Sequence, residues 1–114
     1  MGLASFLILA VPFVRADERS APAADIYNKA VRYYEKGNWA AAKELLHQYL
    51  AEYSETPLYI TCLYYLGYCY QQLGDAQEAA SIYQRVIDEA KGGDSFWADM
   101  AEHRVLELSE FPAT

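Results

Sequence analysis

Apolar and aromatic residues recur every three to four positions from about residue 24 onward. This spacing places them on one face of an α-helix, and no stretch alternates between apolar and polar residues for long enough to predict a strand. The sequence therefore predicts an all-α fold. Start and stop signals divide the pattern into five helices, with the first at about 24–36, the second after residue 38, the third at about 57–73, the fourth at about 76–91 and the fifth at about 95–108.

The predicted helix starts depend on residues that suit the first turn of a helix. Asn38 is a candidate N-cap for the second helix, because its side-chain oxygen can accept a free backbone amide. Asp75, followed by Glu78 three residues later, forms a variant of the capping box before the fourth helix. Thr56 and Pro57 predict that the third helix begins with a hydroxyl cap and a proline in its first turn.

The chain also contains an internal repeat. The pattern of small and large residues in the first helix pair recurs in the second pair at an offset of 37 residues. A further offset of 34 residues places Trp97 and Ala101 at the positions of Leu63 and Gly67. Because the links inside each pair are short, we expect its two helices to lie antiparallel.

One set of residues is predicted to pack these pairs together. Small residues at such positions let helices approach closely, and large residues fill the space beside them. The predicted packing residues are Ala30, Tyr33, Gly37, Ala42, Leu46, Leu63, Leu66, Gly67, Tyr70, Gly74, Ala79, Tyr83, Trp97 and Ala101. A single pair cannot bury its own apolar face, so we expect consecutive pairs to stack into a short α-solenoid. The alternative is an ordinary five-helix bundle.

The repeat resembles the tetratricopeptide (TPR) motif, in which Leu-Gly and a later Tyr on one helix precede an Ala and an aromatic residue on the next. The residues that carry the resemblance are Leu63, Leu66, Gly67, Tyr70, Ala79 and Tyr83. It implies two TPR helix hairpins plus a C-terminal capping helix within a domain at 24–109. The repeats would cover about 23–56 and 60–93, and the capping helix about 95–108.

The link from Tyr53 to Tyr59 and the following Leu63-to-Gly67 segment are similar to those of exported bacterial TPR proteins. Two such families are the Tol–Pal-associated cell-division coordinator and the outer-membrane-protein assembly lipoproteins. The resemblance implies an exported, periplasmic protein–protein interaction module that has no catalytic step and takes no cofactor.

The resemblance also implies a binding surface, because the first helix of each TPR pair lines the concave face. The predicted partner-binding residues are Tyr27, Val31, Tyr34, Thr61, Tyr64, Tyr68 and Gln71. Tyrosine offers a large apolar contact with a polar tip, which suits a peptide groove. The set holds no Lys, Arg or Asn, so a clamp for a terminal carboxylate is not expected. Three alternatives stay open: the tyrosines cover the core, they pack between copies of a self-associating scaffold, or the chain is an accessory fragment of a larger TPR protein.

The N-terminal segment is predicted to be a targeting signal. Residues 3–14 form an apolar run of twelve residues, whereas a bilayer span needs about 20. The small residues Val14 and Ala16 suit an export peptidase. We therefore expect a signal peptide at 1–16, a polar linker at 17–23, and no membrane span after cleavage. An uncleaved anchor, a misassigned start and a buried helix are the alternatives.

Composition and candidate chemistry narrow the function further. The 114 residues suffice for one domain, and 16 acidic against 9 basic residues argue against nucleic-acid binding. Cys62 and Cys69 lie about 10.5 Å apart along one helix, too far for a disulfide between them. Core packing is therefore expected, and an intermolecular disulfide is the alternative. Asp99, His103 and Glu107 spread too widely along the fifth helix for one metal ion. No catalytic motif occurs, so neither an enzyme nor a metal site is predicted.

Overall fold

A computed structural model describes residues 21–110 of the chain. Its helices are α1 (residues 21–35), α2 (Trp39–Glu52), α3 (Tyr59–Gln72), α4 (Ala76–Glu89) and α5 (Ser95–Glu110), with a 3-10 turn at Gly92–Asp94. Consecutive helices from α2 to α5 pack against each other, and α3 also contacts α5. Helix α1 contacts α2 through the ring pairs Tyr27–Tyr49 and Tyr34–Trp39. The predicted all-α fold of two helix hairpins and a capping helix is confirmed. The predicted signal peptide at 1–16 lies outside the described residues.

The first helix of each hairpin ends at a glycine. Gly37 and Gly74 have φ angles of 75° and 87°, in the left-handed region that glycine adopts without steric cost. Beyond Gly37, the Asn38 amide donates to the Tyr33 carbonyl oxygen at 2.9 Å, and the equivalent bond in the second hairpin is also 2.9 Å long. This pattern satisfies the last carbonyl groups of the helix and reverses the chain.

The residue after each of these glycines also begins the next helix. The Asn38 side chain accepts a hydrogen bond from the Ala41 amide at 3.3 Å, and the Asp75 carboxylate accepts one from Glu78 at 3.1 Å. Both predicted N-caps are thereby confirmed. Because one residue closes one helix and caps the following one, the two helices of each hairpin must lie antiparallel and side by side.

The predicted start of the third helix is wrong by two residues. Helix α3 begins at Tyr59, and Leu58 occupies its N-cap position without a side-chain hydrogen bond. The Thr56 hydroxyl instead donates to the Tyr53 carbonyl oxygen at 3.1 Å and bonds to the Tyr49 hydroxyl. Thr56 therefore ties the link to the end of α2 and is not free to cap α3.

The outer limits of the domain are wider than the periodicity indicated. The chain is already helical at residue 21, and Ala23, which the sequence assigned to the linker, is 7% exposed and packs in the core. At the other end, α5 continues to Glu110. None of the helices within residues 21–110 has an apolar stretch long enough to cross a bilayer.

The small residues at the packing positions face inward, where helices approach closely. Four alanines from α1, α2, α4 and α5 are completely buried: Ala30, Ala42, Ala79 and Ala101. A Cβ atom on Gly67 would lie 2.8 Å from Cε1 of Tyr83 and 3.3 Å from Cγ2 of Ile82. The predicted large packing residues that are buried beside them are Leu46, Leu63, Leu66 and Tyr83.

The other predicted packing residues lie nearer the surface. Gly37 and Gly74 are exposed in the turns, and Tyr70 and Trp97 are half-buried against the core. Tyr33 is 40% exposed and is not part of the core, so its prediction as a packing residue needs correction. The reason is its place in the stack, because no helix precedes α1 within the described residues.

The Gly67 contact predicts a large loss of stability on enlargement of that residue. Gly67→Leu should lower the free energy of unfolding by about 1–3 kcal/mol or more, since the added side chain would overlap the fully buried Tyr83 ring. Urea denaturation followed by circular dichroism measures this change. Gly93→Leu is the matched control, because no atom lies within 4 Å of its added Cβ. Equal effects of the two substitutions would contradict the close packing of α3 on α4.

Candidate partner-binding face

The odd-numbered helices share a face on which aromatic side chains meet. Tyr34 of α1 lies beside Tyr68 of α3, with ring centroids 5.7 Å apart. The Arg104 guanidinium of α5 lies over the Tyr68 ring, 4.8 Å from its centroid. Trp39, the first residue of α2, lies 5.3 Å from Tyr34 and 5.5 Å from Tyr68. We call these four half-buried residues the tyrosine face.

Trp39 packs edge to face against both tyrosines of the tyrosine face. The Trp39 plane makes angles of 86° with Tyr34 and 76° with Tyr68, the arrangement that aromatic quadrupoles favour. Because the rings already touch each other, a ligand has no gap between them and must lie across their exposed edges. The face therefore offers a continuous apolar surface edged with polar atoms.

The structure divides the predicted partner-binding residues into an accessible set and a buried set. The half-buried, accessible members are Tyr27, Val31, Tyr34, Tyr68 and Gln71. Thr61 and Tyr64, in contrast, are 9% and 3% exposed, so both side chains belong to the interior. This corrects their placement on the open surface. The binding role of the accessible residues stays a prediction.

Tyr64 is buried because α4 and α5 cover it. Its ring lies 5.5 Å from the Tyr83 ring and 5.2 Å from the Trp97 ring. Its hydroxyl accepts a hydrogen bond from Arg104 Nε at 3.0 Å. The capping helix therefore occupies the space that a ligand of Tyr64 would need.

A hydrogen-bonded network lies behind the tyrosine face and joins α3, α4 and α5. The Tyr83 hydroxyl donates to Gln71 Oε1 at 2.7 Å, and Gln71 Nε2 donates to Glu107 Oε1 at 3.3 Å. Arg104 Nη1 also donates to Glu107 Oε1 at 3.3 Å. Although burial by itself lowers the pKa of Arg104, the hydrogen bond to Tyr64 and the charge of Glu107 raise it overall. The guanidinium is charged and already paired within the protein.

Sequence reasoning missed Arg104 and Trp39 as members of this face. Arg104 lies 34 residues after Tyr70, so it occupies a repeat position where the motif has an aromatic residue. An arginine at this aromatic position is the sequence feature that could have indicated a distinct role for Arg104. The place of Trp39 between Tyr34 and Tyr68 depends on how the first hairpin packs on α3, and no local pattern indicates it.

The two cysteines do not contribute reactive chemistry. Cys62 and Cys69 are free and completely buried, which confirms their predicted role in the core. Burial raises the pKa of each thiol to about 12, so both are protonated and poorly nucleophilic at neutral pH. Within residues 21–110, no three His, Cys, Asp or Glu side chains are close enough to hold a metal ion.

The family of the chain follows from its sequence match. Residues 27–94, more than half of the chain, match the family model described as tetratricopeptide repeat. The chain belongs to the tetratricopeptide repeat family. No curated protein and no solved structure matches it. The family is non-catalytic and its repeats bind proteins, so the chain is a protein–protein interaction module.

Buried ionisable side chains predict a loss of stability at alkaline pH. Burial raises the pKa of Tyr27, Cys62 and Cys69 to about 12, and it raises the pKa of Tyr34 and Tyr83 further. In the unfolded chain these thiols and phenols ionise at about pH 9 to 10. Above that pH the unfolded chain has released protons that the folded chain retains, so unfolding becomes more favourable as pH rises.

The stability conferred by these groups is complete below about pH 9 and falls as pH approaches about 12. Urea unfolding curves recorded at a series of pH values measure the decline, and tyrosinate absorbance in the same samples reports ionisation. A free energy of unfolding that stays constant from about pH 8 to about pH 11 would contradict the burial of these side chains.

Proposed function

We propose that the tyrosine face binds an extended peptide segment that is poor in charged side chains. The observation that carries this proposal is the contact of Tyr34, Trp39 and Tyr68 in one half-buried surface across three helices. Membership of the TPR family implies that the partner is a protein. An extended segment can lie across these rings, with its backbone amides near the tyrosine hydroxyls.

The charges near the face support an uncharged ligand. Helix α3 carries no charged residue, and the Arg104 charge is paired with Glu107 at 3.3 Å. A ligand carboxylate would have to replace that internal partner, which has a cost. Binding energy would therefore come from apolar contact with the rings and hydrogen bonds to their polar atoms. Aromatic side chains provide both while losing little conformational entropy.

Export from the cytoplasm is a second part of the proposal. It is supported by the apolar run at 3–14, followed by small residues at positions suited to a peptidase. An exported protein of this kind would meet its partners in the bacterial periplasm. N-terminal sequencing of the protein purified from its native cells tests this, and a mature chain that retains residues 1–16 would contradict it.

The tyrosine face predicts different consequences for two tyrosine substitutions. Tyr68→Ala should weaken binding to peptides selected from a random-peptide phage library by at least about tenfold, because loss of an aromatic anchor costs about 2 kcal/mol or more. Fluorescence anisotropy with labelled selected peptides measures the affinity. We expect the selected sequences to be poor in Asp, Glu, Lys and Arg.

Tyr33→Ala is the matched control for this experiment. Tyr33 is also a half-exposed tyrosine, but it lies on the outer surface of α1 and has no ring contact with the tyrosine face. Circular dichroism confirms that both variants remain helical. Loss of binding in both variants, or in neither, would place the peptide site elsewhere on the protein.

A further inference from the structure

The outer surface of α1 is a helix-packing face that is uncovered in the described part of the chain. Lys29 and Tyr33 precede Leu66 and Tyr70 of α3 by the repeat offset of 37 residues. In α3 this face packs on the preceding helix, where the Tyr70 hydroxyl lies 2.8 Å from His47 Nε2. In α1 the equivalent face has no preceding helix among residues 21–110, and Tyr33 is 40% exposed.

This uncovered face is basic. Exposed Lys29, Arg32 and Lys36 surround Tyr33 at helical spacing, and we call these four residues the α1 basic face. Lys29 pairs with Asp25 at 3.3 Å, but both side chains are more than half exposed, so the pair contributes little stability. Tyrosine and arginine are residue types enriched in protein interfaces.

The last two helices form an open groove of about 510 Å³ between the start of α4 and the end of α5. Its apolar floor consists of Ala76, Ala80, Val105 and Leu108, and its polar edge consists of Gly74, Asp75, Gln77 and Ser109. We call this the α4–α5 groove. It is an apolar depression that a large side chain of suitable shape can enter.

The two surfaces lie in regions of opposite charge. Residues 21–43 contain four basic and two acidic side chains, whereas residues 75–110 contain nine acidic and three basic ones. Opposite potentials on two surfaces steer their encounter and favour one orientation. A second copy of this chain therefore carries the basic, tyrosine-centred surface that suits the acidic surroundings of the α4–α5 groove.

We propose that the chain associates with itself head to tail, with the α1 basic face of one copy docked on the α4–α5 groove of the next. Tyr33 enters the groove, and the surrounding basic side chains lie near the acidic residues of α4 and α5. A docked pair leaves an α1 basic face free at one end and an α4–α5 groove free at the other. The contact is therefore heterologous and extends into longer assemblies. It uses no residue of the tyrosine face and does not depend on the proposed peptide binding.

Sedimentation velocity on the full chain tests this proposal. The average mass should rise with protein concentration beyond that of a dimer, and it should fall as salt screens the charges. Lys29→Glu/Lys36→Glu disables the basic face, and Ala80→Arg blocks the groove. Each variant alone should be monomeric, but an equimolar mixture should form a dimer that grows no further, because each variant retains the surface that the other lacks.

Matched controls separate the specific contact from general effects. Arg85→Glu/Lys91→Glu changes the net charge equally, but it does so in the acidic region of the chain and outside the residues that line the groove, and Ser81→Arg adds the same side chain at an exposed neighbour of Ala80. Neither control should weaken association, and a loss of association in the first would trace the effect to net charge alone. Tyr33→Ala should weaken association, while Tyr68→Ala should leave it unchanged, which distinguishes this contact from the peptide site.

Several results would overturn the proposal. One is a monomer at every concentration in low salt, and another is a dimer of the unaltered chain that does not extend, since that indicates a two-fold contact. Association that persists in both single-surface variants would place the contact elsewhere, including in residues 1–20. Failure of the two variants to pair in the mixture would also contradict head-to-tail docking.

Discussion

The close approach of α3 to α4 at Gly67 is the contact on which the rest of the structure depends. With no side chain at that position, the Tyr83 ring can pack directly against the α3 backbone. The Tyr83 hydroxyl then reaches Gln71, and the network that continues from Gln71 holds Arg104 over the Tyr68 ring. The absence of a side chain at Gly67 in the core thus determines the geometry of Arg104 and Tyr68 on the tyrosine face.

The features that the sequence predicted correctly are those that local backbone chemistry determines. Helix number, the turn glycines and the N-caps Asn38 and Asp75 all depend on residues within a few positions of one another. Thr56 also looked like a cap, yet its hydroxyl bonds to the end of α2, and only the folded chain brings those groups together. Element type was predictable because periodicity extends over whole helices, whereas one helix start depended on a tertiary contact.

For the candidate site, the sequence placed residues on the correct helices but could not say which of them are covered. Tyr34 and Tyr68 lie on the shared face, whereas Tyr64 is buried beneath Trp97 and hydrogen-bonded to Arg104. Tyr33 is exposed because no helix precedes α1 within the described residues. A repeat pattern does not indicate which repeat comes first, so the sequence could not predict this exposure. Positions within a repeat are local properties, but their exposure depends on the ends of the stack.

The turns and the longer link differ in how they would tolerate a change in chain length. Asn38 and Asp75 each make two hydrogen bonds, one from the backbone amide that closes the preceding helix and one to the side chain that caps the next. An added residue at either turn would break one of these bonds. The link at 53–58 has an exposed Ser54 and Glu55 and joins two separately closed hairpins. Exposed loop tips of this kind are where inserted sequence is best tolerated. A fluorescent reporter or an affinity epitope between Ser54 and Glu55 would therefore cost the hydrogen bonds from Thr56 to Tyr53, but it would leave the turn and cap bonds of both hairpins intact.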